Sequence, residues 1–183
     1  PPYSGAMPIA THLHGGEVSP AFDGGPDAWF TADGLDQGHA YYSFDGAPGN
    51  GATYRYPNSQ EAANIWFHDH VLGMTRLNVY AGMAGFFIIR DDQDTGLPGN
   101  PLGLPAFPYE AAFAIQDKMF KDNGELFYPA FPGDPFYDDF ITGEGAILPP
   151  DLFPGGGPTA LAEFFGDHMV VNGKIWPKED VEP

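Results

Sequence analysis

The chain contains no cysteine, so its 183 residues hold no disulfide bond, no thiolate metal site and no cysteine nucleophile. Basic residues are scarce, with 7 Lys and Arg against 25 Asp and Glu, and the formal net charge is −18. A charge of this sign argues against nucleic acid or an anionic membrane surface as a partner. The longest uncharged apolar run, residues 77–89, is too short to span a bilayer.

Long helices are also disfavoured by the composition. The chain carries 20 Pro and 25 Gly, and proline at this density interrupts helices repeatedly. Hydrophobic residues still make up 43% and aromatic residues 15% of the chain, which is enough to bury a sizeable core. Short strands joined by long loops are therefore expected, and the chain is assigned to the all-β class.

Four of the six histidines fall into two His-x-His pairs, His12 with His14 and His68 with His70. On an extended strand the two imidazoles of such a pair share one face and lie about 6–7 Å apart. This spacing suits two adjacent metal ions better than one ion. A single pair could be accidental or structural, but the repetition favours a metal site built from both pairs.

The alternation of apolar residues and the turn signals predict where the other strands lie. Asn172-Gly173 predicts a type I′ hairpin turn, whereas residues 129–157 show no pattern and are predicted to form a long loop. A Gly- and Pro-rich stretch predicts a linker at 92–110 between a first domain at 1–91 and a second at 111–183. The predicted strands are residues 9–13, 41–44, 52–56, 65–70, 81–90 and 111–120.

Several stretches in collinear order resemble the multicopper oxidases, in particular the bacterial spore-coat laccase and bilirubin-oxidase-like group. HLHG followed at this distance by WFHDH is highly specific to the family. The resemblance implies cupredoxin domains, which are Greek-key β-barrels, with the later part of one domain and the start of a second in this chain. The matching stretches are HLHGG, SPAFDGGPDAWF, YRYPNSQEAANIWFHDH, MTRLNVYAGMAGFFIIRD, DKMF, GELFYP and GDHMVVNGKIWP.

The resemblance also implies roles for individual residues. His12 is similar to a ligand of the type 2 copper, and His14, His68 and His70 are similar to ligands of the type 3 copper pair. Asp23 is similar to an acidic residue that helps to move protons to reduced oxygen. Asp69 is expected to support the site from outside it and Trp66 to serve mainly in packing, whereas His39 and His168 are not expected to be ligands.

The family couples one-electron oxidation of phenolic or bilirubin-like donors to the reduction of O2 to water, outside the cytoplasm or in the spore coat. Its type 1 copper needs a Cys, and four further histidines complete its cluster. This chain lacks both, so we expect it to be a segment that is inactive alone and needs the remaining cupredoxin domains in cis or in trans. No secretion leader opens the chain, so we expect any export signal to be absent or removed.

Two alternatives remain open. One is a non-catalytic copper-binding or structural piece that is active only with a partner segment. The other is a zinc hydrolase of the amidohydrolase type, whose first barrel strand also carries His-x-His. That barrel needs a helix after each strand, and the Pro and Gly content argues against it.

Overall fold

The computed structural model describes residues 5–128, 133, 137–138, 165–178 and 180. Internal contacts divide the chain into two compact units, Pro1–Ala114 and Ile115–Pro183. The assignment of residues 1–91, 92–110 and 111–183 to two cupredoxin domains and a linker stays a prediction. The long loop predicted for 129–157 lies outside the described residues, apart from 133, 137 and 138.

The first unit is built from two antiparallel sheets. The smaller sheet pairs β1 (Pro8–Ile9) with β3 (Phe30–Thr31). The larger sheet has the order β2-β4-β5, formed by the strands Thr11–His14, Ala63–Asp69 and Ala84–Ile89. The longest strand, β4, carries the β-forming run Ile-Trp-Phe and lies in the centre of the sheet.

Helix is scarce in the described part of the chain: besides Tyr137 and Asp138, it is confined to two segments. A 3-10 turn spans Pro20–Phe22, and α1 spans Thr75–Tyr80 between β4 and β5. No helix among the described residues has the length and apolar character needed to cross a membrane. This content confirms the prediction of the all-β class and does not fit the barrel with alternating helices.

The second unit contains a three-stranded antiparallel sheet of order β6-β7-β8, formed by Ile115–Lys118, His168–Val171 and Lys174–Ile175. The predicted hairpin turn joins β7 to β8. Asn172 and Gly173 have φ values of 47° and 81°, and two positive φ angles are what a type I′ turn requires. The hairpin prediction is confirmed.

Two strand predictions are wrong. Residues 41–44 and 52–56 lie outside the ladders, and the one backbone hydrogen bond between the two segments joins Thr53 N to Tyr42 O. Residues 52–56 contact β2 through a side chain instead of a ladder: the Tyr54 hydroxyl oxygen accepts a hydrogen bond from Thr11 N. The sequence also gave no sign of β3, since two residues are too few to show alternation.

The core of the first unit lies beneath β2 and beneath the residues that directly follow β4. Ala10, Leu13 and Val71 are almost fully buried there. Since Leu13 alternates with His12 and His14 along β2, its burial points both imidazoles to the other face of the strand. The core therefore decides which side of the sheet carries the histidines.

Candidate metal centre

The two His-x-His pairs meet across the contact between β2 and β4. In this antiparallel register His12 lies directly opposite His68, and Thr11 lies opposite Asp69. The ring centroid of His12 is 5.8 Å from that of His14, 5.3 Å from His68 and 4.8 Å from His70. The structure thus gathers all four sequence-predicted metal residues into one cluster.

Three of these residues have ligand nitrogens close enough for shared metal binding. The nitrogens of His12, His14 and His68 lie within 4.8 Å of one another. Imidazole nitrogens bind copper, zinc, iron or nickel, so the histidines alone do not select the metal. The cluster can hold one or more transition-metal ions in a setting without thiolates.

Backbone carbonyls orient two of the rings. The Nδ1 of His12 lies 2.8 Å from the carbonyl oxygen of Asp23, and the Nδ1 of His68 lies 2.7 Å from that of Asp69. When Nδ1–H donates to the carbonyl, Nε2 keeps its lone pair for a metal. This arrangement of a carbonyl behind a ligand imidazole is the usual support of metal-binding histidines.

The other two rings, those of His14 and His70, each have an Nδ1 atom whose surroundings suit a bound metal. The Nδ1 of His14 lies 3.1 Å from the Nε2 of His68, so two nitrogens that could bind metal face each other. The Nδ1 of His70 is buried and has no hydrogen-bond partner among the described residues. Since an unpaired buried polar atom is costly, these residues fit a bound metal well.

The electrostatics of the cluster favour the neutral form of His68. Burial lowers the pKa of His68, and the neighbouring His12, His70 and His14 act in the same direction. The hydrogen bond to the Asp69 carbonyl opposes this shift. A neutral imidazole is the form that binds metal, so the low pKa keeps His68 ready as a ligand.

Asp23 is placed beside His12. Its carboxylate Oδ1 lies 3.4 Å from the His12 Nδ1, and its side chain is 38% exposed. The next residue, Gly24, has a φ of 67° and approaches so closely that a Cβ there would lie 1.7 Å from the Thr11 oxygen. Glycine at this position lets the Asp23 loop run along β2.

Asp69 supports the backbone rather than the imidazoles. Its Oδ1 accepts a hydrogen bond of 2.8 Å from Ala10 N, and its Oδ2 accepts one of 3.2 Å from Val71 N. The side chain is buried and lies at the end of β4. It ties the residue before β2 to the residues after β4, which is a supporting position outside the cluster.

Trp66 is more closely involved than the sequence indicated. Its ring lies 4.3 Å from the His68 ring and 5.1 Å from the His14 ring, with interplanar angles of 33° and 29°. It therefore lines the cluster next to solvent, since 39% of the residue is exposed. The signal was in the sequence, because Trp66 shares the strand face of His68 by alternation.

Two histidines are not members of the cluster. His39 is exposed, and His168 begins β7 in the second unit. The Nδ1 of His168 contacts the Asp167 carboxylate, and its ring packs edge-on against Phe120 at 5.6 Å. Neither residue joins a group of metal-binding side chains in the described part of the chain.

A cavity of about 240 Å³ opens against the cluster. His68 contributes to its wall, so the cavity offers a small molecule space beside one member of the cluster. The other lining residues come from all three strands of the larger sheet and from the turn before β5. They are Thr11, Phe67, Asp69, Gly82, Met83 and Ala84.

Comparisons with known proteins identify the protein family that the cluster-bearing residues match. Residues 7–94, which contain all four clustered histidines, match the family described as multicopper oxidase. A laccase from Bacillus stratosphericus is 38% identical over 172 residues, which are 94% of this chain and 28% of that protein. The chain belongs to the multicopper oxidase family.

Two further laccases are similar to this multicopper oxidase chain. A laccase from Bacillus subtilis strain 168 is 37% identical over 94% of this chain, and a laccase from Haloferax volcanii is 33% identical over 100% of this chain. The chain spans 28% and 25% of those two proteins. The activity of a whole multicopper oxidase is therefore a proposal for this chain.

Solved structures agree on the fold. A variant of the McoA multicopper oxidase from Aquifex aeolicus superposes with a TM-score of 0.59 at 23% identity, covering 97% of this chain and 29% of its own. A laccase from Pediococcus acidilactici gives 0.53 at 23% identity, covering 93% of this chain and 27% of its own. The predicted cupredoxin-like fold of a multicopper oxidase is confirmed.

Proposed function

We propose that this chain supplies half of the histidine ligands of a trinuclear copper cluster in a laccase-like multicopper oxidase. The observation that carries the proposal is the meeting of His12, His14, His68 and His70 on one face of two paired strands. The buried Nδ1 of His70, which has no hydrogen-bond partner in the described part of the chain, supports a bound metal there. The family match supports copper as that metal.

The proposal gives each histidine a role. His12 would hold the type 2 copper, and His14, His68 and His70 would hold ligand positions of the type 3 pair. When bound, these three copper ions, together with the type 1 copper held elsewhere, would supply the four electrons that reduce one O2 molecule to two water molecules. The chain's own residues fix two of the imidazoles, because the carbonyl of Asp23 orients His12 and the carbonyl of Asp69 orients His68.

Asp23 would handle protons at this site. Reduction of one O2 molecule to two water molecules consumes four protons, and these must reach a partly buried cluster. The Asp23 carboxylate contacts His12 at 3.4 Å and is open to solvent on its other side. A carboxylate in that position can take protons from water and release them beside the cluster.

The remaining parts of the catalyst would lie in other cupredoxin domains, in cis or in trans. With no cysteine in the chain, the type 1 copper that takes electrons from a phenolic or bilirubin-like donor must be held elsewhere. We expect the chain alone to be inactive for that reason. An extracellular, periplasmic or spore-coat location is part of the same proposal.

The test is the copper content and O2 consumption of the full-length protein. We expect about four copper ions per complete protein, and loss of cluster copper and O2 consumption in His12→Ala and His68→Ala. His168→Ala, which removes a histidine outside the cluster, should retain both. Unchanged copper content in the two cluster variants would contradict the proposal.

The non-catalytic alternative is separated by the same experiment. Its support is the lack of a cysteine in this chain. A full-length protein that binds copper through His12 and His68, but consumes no O2 with a phenolic donor, would establish that alternative.

A further inference from the structure

The segment from Tyr54 to Gln60 contacts the histidine-bearing strand at both ends, although it forms no ladder with it. At one end, the Tyr54 hydroxyl oxygen accepts a hydrogen bond of 3.1 Å from the backbone N–H of Thr11. Thr11 immediately precedes His12. The bond therefore fixes the backbone at the point where β2 begins to carry ligands.

At the other end, the Gln60 side chain forms two hydrogen bonds to the turn after His14. The Gln60 Oε1 accepts a hydrogen bond of 2.8 Å from Glu17 N, and its Nε2 donates one of 2.9 Å to Gly15 O. A carboxamide is suited to this because it carries both an acceptor and donors. The two ends together bracket His12 and His14.

The position of β2 explains why such support matters. β2 pairs with β4 on one side, and no strand pairs with its other side among the described residues. A four-residue edge strand held by one ladder is prone to fraying. Metal ligands have to be held within about 0.5 Å of the productive geometry. The edge strand that carries His12 and His14 therefore needs support beyond its single ladder.

The segment between the two contacts is itself restrained. Pro57 has a fixed φ, and Asn58 adopts a φ of 52°, which bends the chain between Tyr54 and Gln60. Tyr56 packs on Tyr54 at 6.2 Å and edge-on against Phe87 of β5 at 5.5 Å. The segment is thus anchored to the sheet independently of β2.

We propose that Tyr54 and Gln60 are positioning residues that clasp the His12–His14 strand and hold its two imidazoles in place for metal. The proposal rests on the proposed function as a copper site. The clasp itself, however, is a property of the backbone of β2 and can be tested without copper.

The first test is amide hydrogen exchange in the copper-free, full-length protein. Tyr54→Phe should speed exchange at Thr11 and Gln60→Ala at Glu17, each about fivefold, the factor for one hydrogen bond. Matched controls are Tyr56→Phe, which removes a hydroxyl two residues away, and Gln93→Ala, which truncates an exposed glutamine. Exchange unchanged from wild type at Thr11 and Glu17 would overturn the clasp.

The second test is copper affinity and the type 2 electron paramagnetic resonance signal after titration with copper alone. Each variant should lose about fivefold in affinity and the double variant about 25-fold, if the two contacts act independently. Gln60→Glu keeps the acceptor for Glu17 but loses the donor to Gly15, so it should fall between wild type and Gln60→Ala. The two control variants should match wild type.

The outcomes separate the two proposals. Faster exchange with unchanged copper affinity and an unchanged spectrum would mean that the contacts are structural only, and the positioning role would be wrong. A wild-type protein that binds no copper would refute the proposed function, and exchange at Thr11 and Glu17 would then decide the clasp by itself.

Discussion

β2 carries both histidines of one His-x-His pair, whereas β4 carries His68 of the other pair and ends just before His70, and the two strands are held in different ways. β4 has seven residues and is paired on both sides, so its backbone is fixed by ladders to β2 and β5. β2 has four residues and one ladder, and its outer edge is covered by the Tyr54 hydroxyl and by Gly24. One pair of imidazoles relies on the sheet, and the other relies on loops.

This difference shows that equal motifs need not have equal support. A ladder repeats regularly along a central strand, so no single side chain is indispensable to β4. The edge strand depends on a few specific contacts, each of which can be removed by one substitution. We therefore expect the most specific losses of the histidine cluster to come from residues around β2.

Asp69→Ala should have the largest effect, because the Asp69 carboxylate joins the residue before β2 to the chain after β4, in addition to the ladder between the strands. Two buried backbone donors, Ala10 N and Val71 N, would lose their acceptor. At 1–3 kcal/mol for each, the free energy of unfolding should fall by about 4 kcal/mol. Denaturant unfolding measures this loss.

Two further variants sharpen this prediction. Asp69→Asn keeps an acceptor and should lose about half as much, roughly 2 kcal/mol. Asp92→Ala, at an exposed position, should lose less than 0.5 kcal/mol, the usual limit for such surface changes. Equal losses in Asp69→Ala and Asp92→Ala would show that Asp69 does not join the strands.

Gly24→Ala should break the outer edge of β2 and leave β4 in place. The new Cβ would lie 1.7 Å from the Thr11 oxygen at a φ of 67°, so the loop or the strand must move. Overpacking and the left-handed conformation together should cost about 3 kcal/mol. Gly25→Ala is the matched control, since a Cβ there has no atom within 4 Å.

The readout for this pair is unfolding free energy together with copper affinity. We expect Gly24→Ala to weaken copper binding, because Asp23 and His12 would shift, and Gly25→Ala to resemble wild type. Copper affinity that stays at the wild-type level in Gly24→Ala would argue that β2 does not need its covered edge.

Trp66→Leu should have the smallest effect, because it alters the contact between the two histidine pairs and leaves both backbones intact. The stacking on His14 and His68 would be lost, which should cost about 1 kcal/mol. Trp66→Phe should recover most of it, and Trp176→Leu, at an exposed site in the second unit, should cost little. Thermal unfolding compares the three, and equal losses in Trp66→Leu and Trp66→Phe would show that stacking is unimportant.

Much of the cluster could be predicted from local pattern. Strict alternation placed each histidine pair on one face, because side chains on a strand alternate whatever the strand pairs with. The turn at Asn172-Gly173 was equally local, since few residues other than Asn and Gly accept two positive φ angles.

The errors had a physical origin as well. Residues 52–56 alternate as a strand would, but alternation does not reveal whether a partner strand is present. Their polar groups are met by single contacts, such as the Tyr54 hydroxyl to Thr11, which leave no periodic trace in the sequence. Gln60 was invisible for the same reason.

The sequence by itself determined the two pairs of imidazoles along the chain, the all-β class and the absence of any thiolate. Only the tertiary structure decided that His12 faces His68, that Asp23 lies beside His12, and that loop side chains cover β2. These depend on strand register and on contacts between residues that are 11 positions apart for Asp23 and His12 and more than 40 positions apart for the others. Such contacts are set by burial of Leu13 and its neighbours, which is a property of the whole fold.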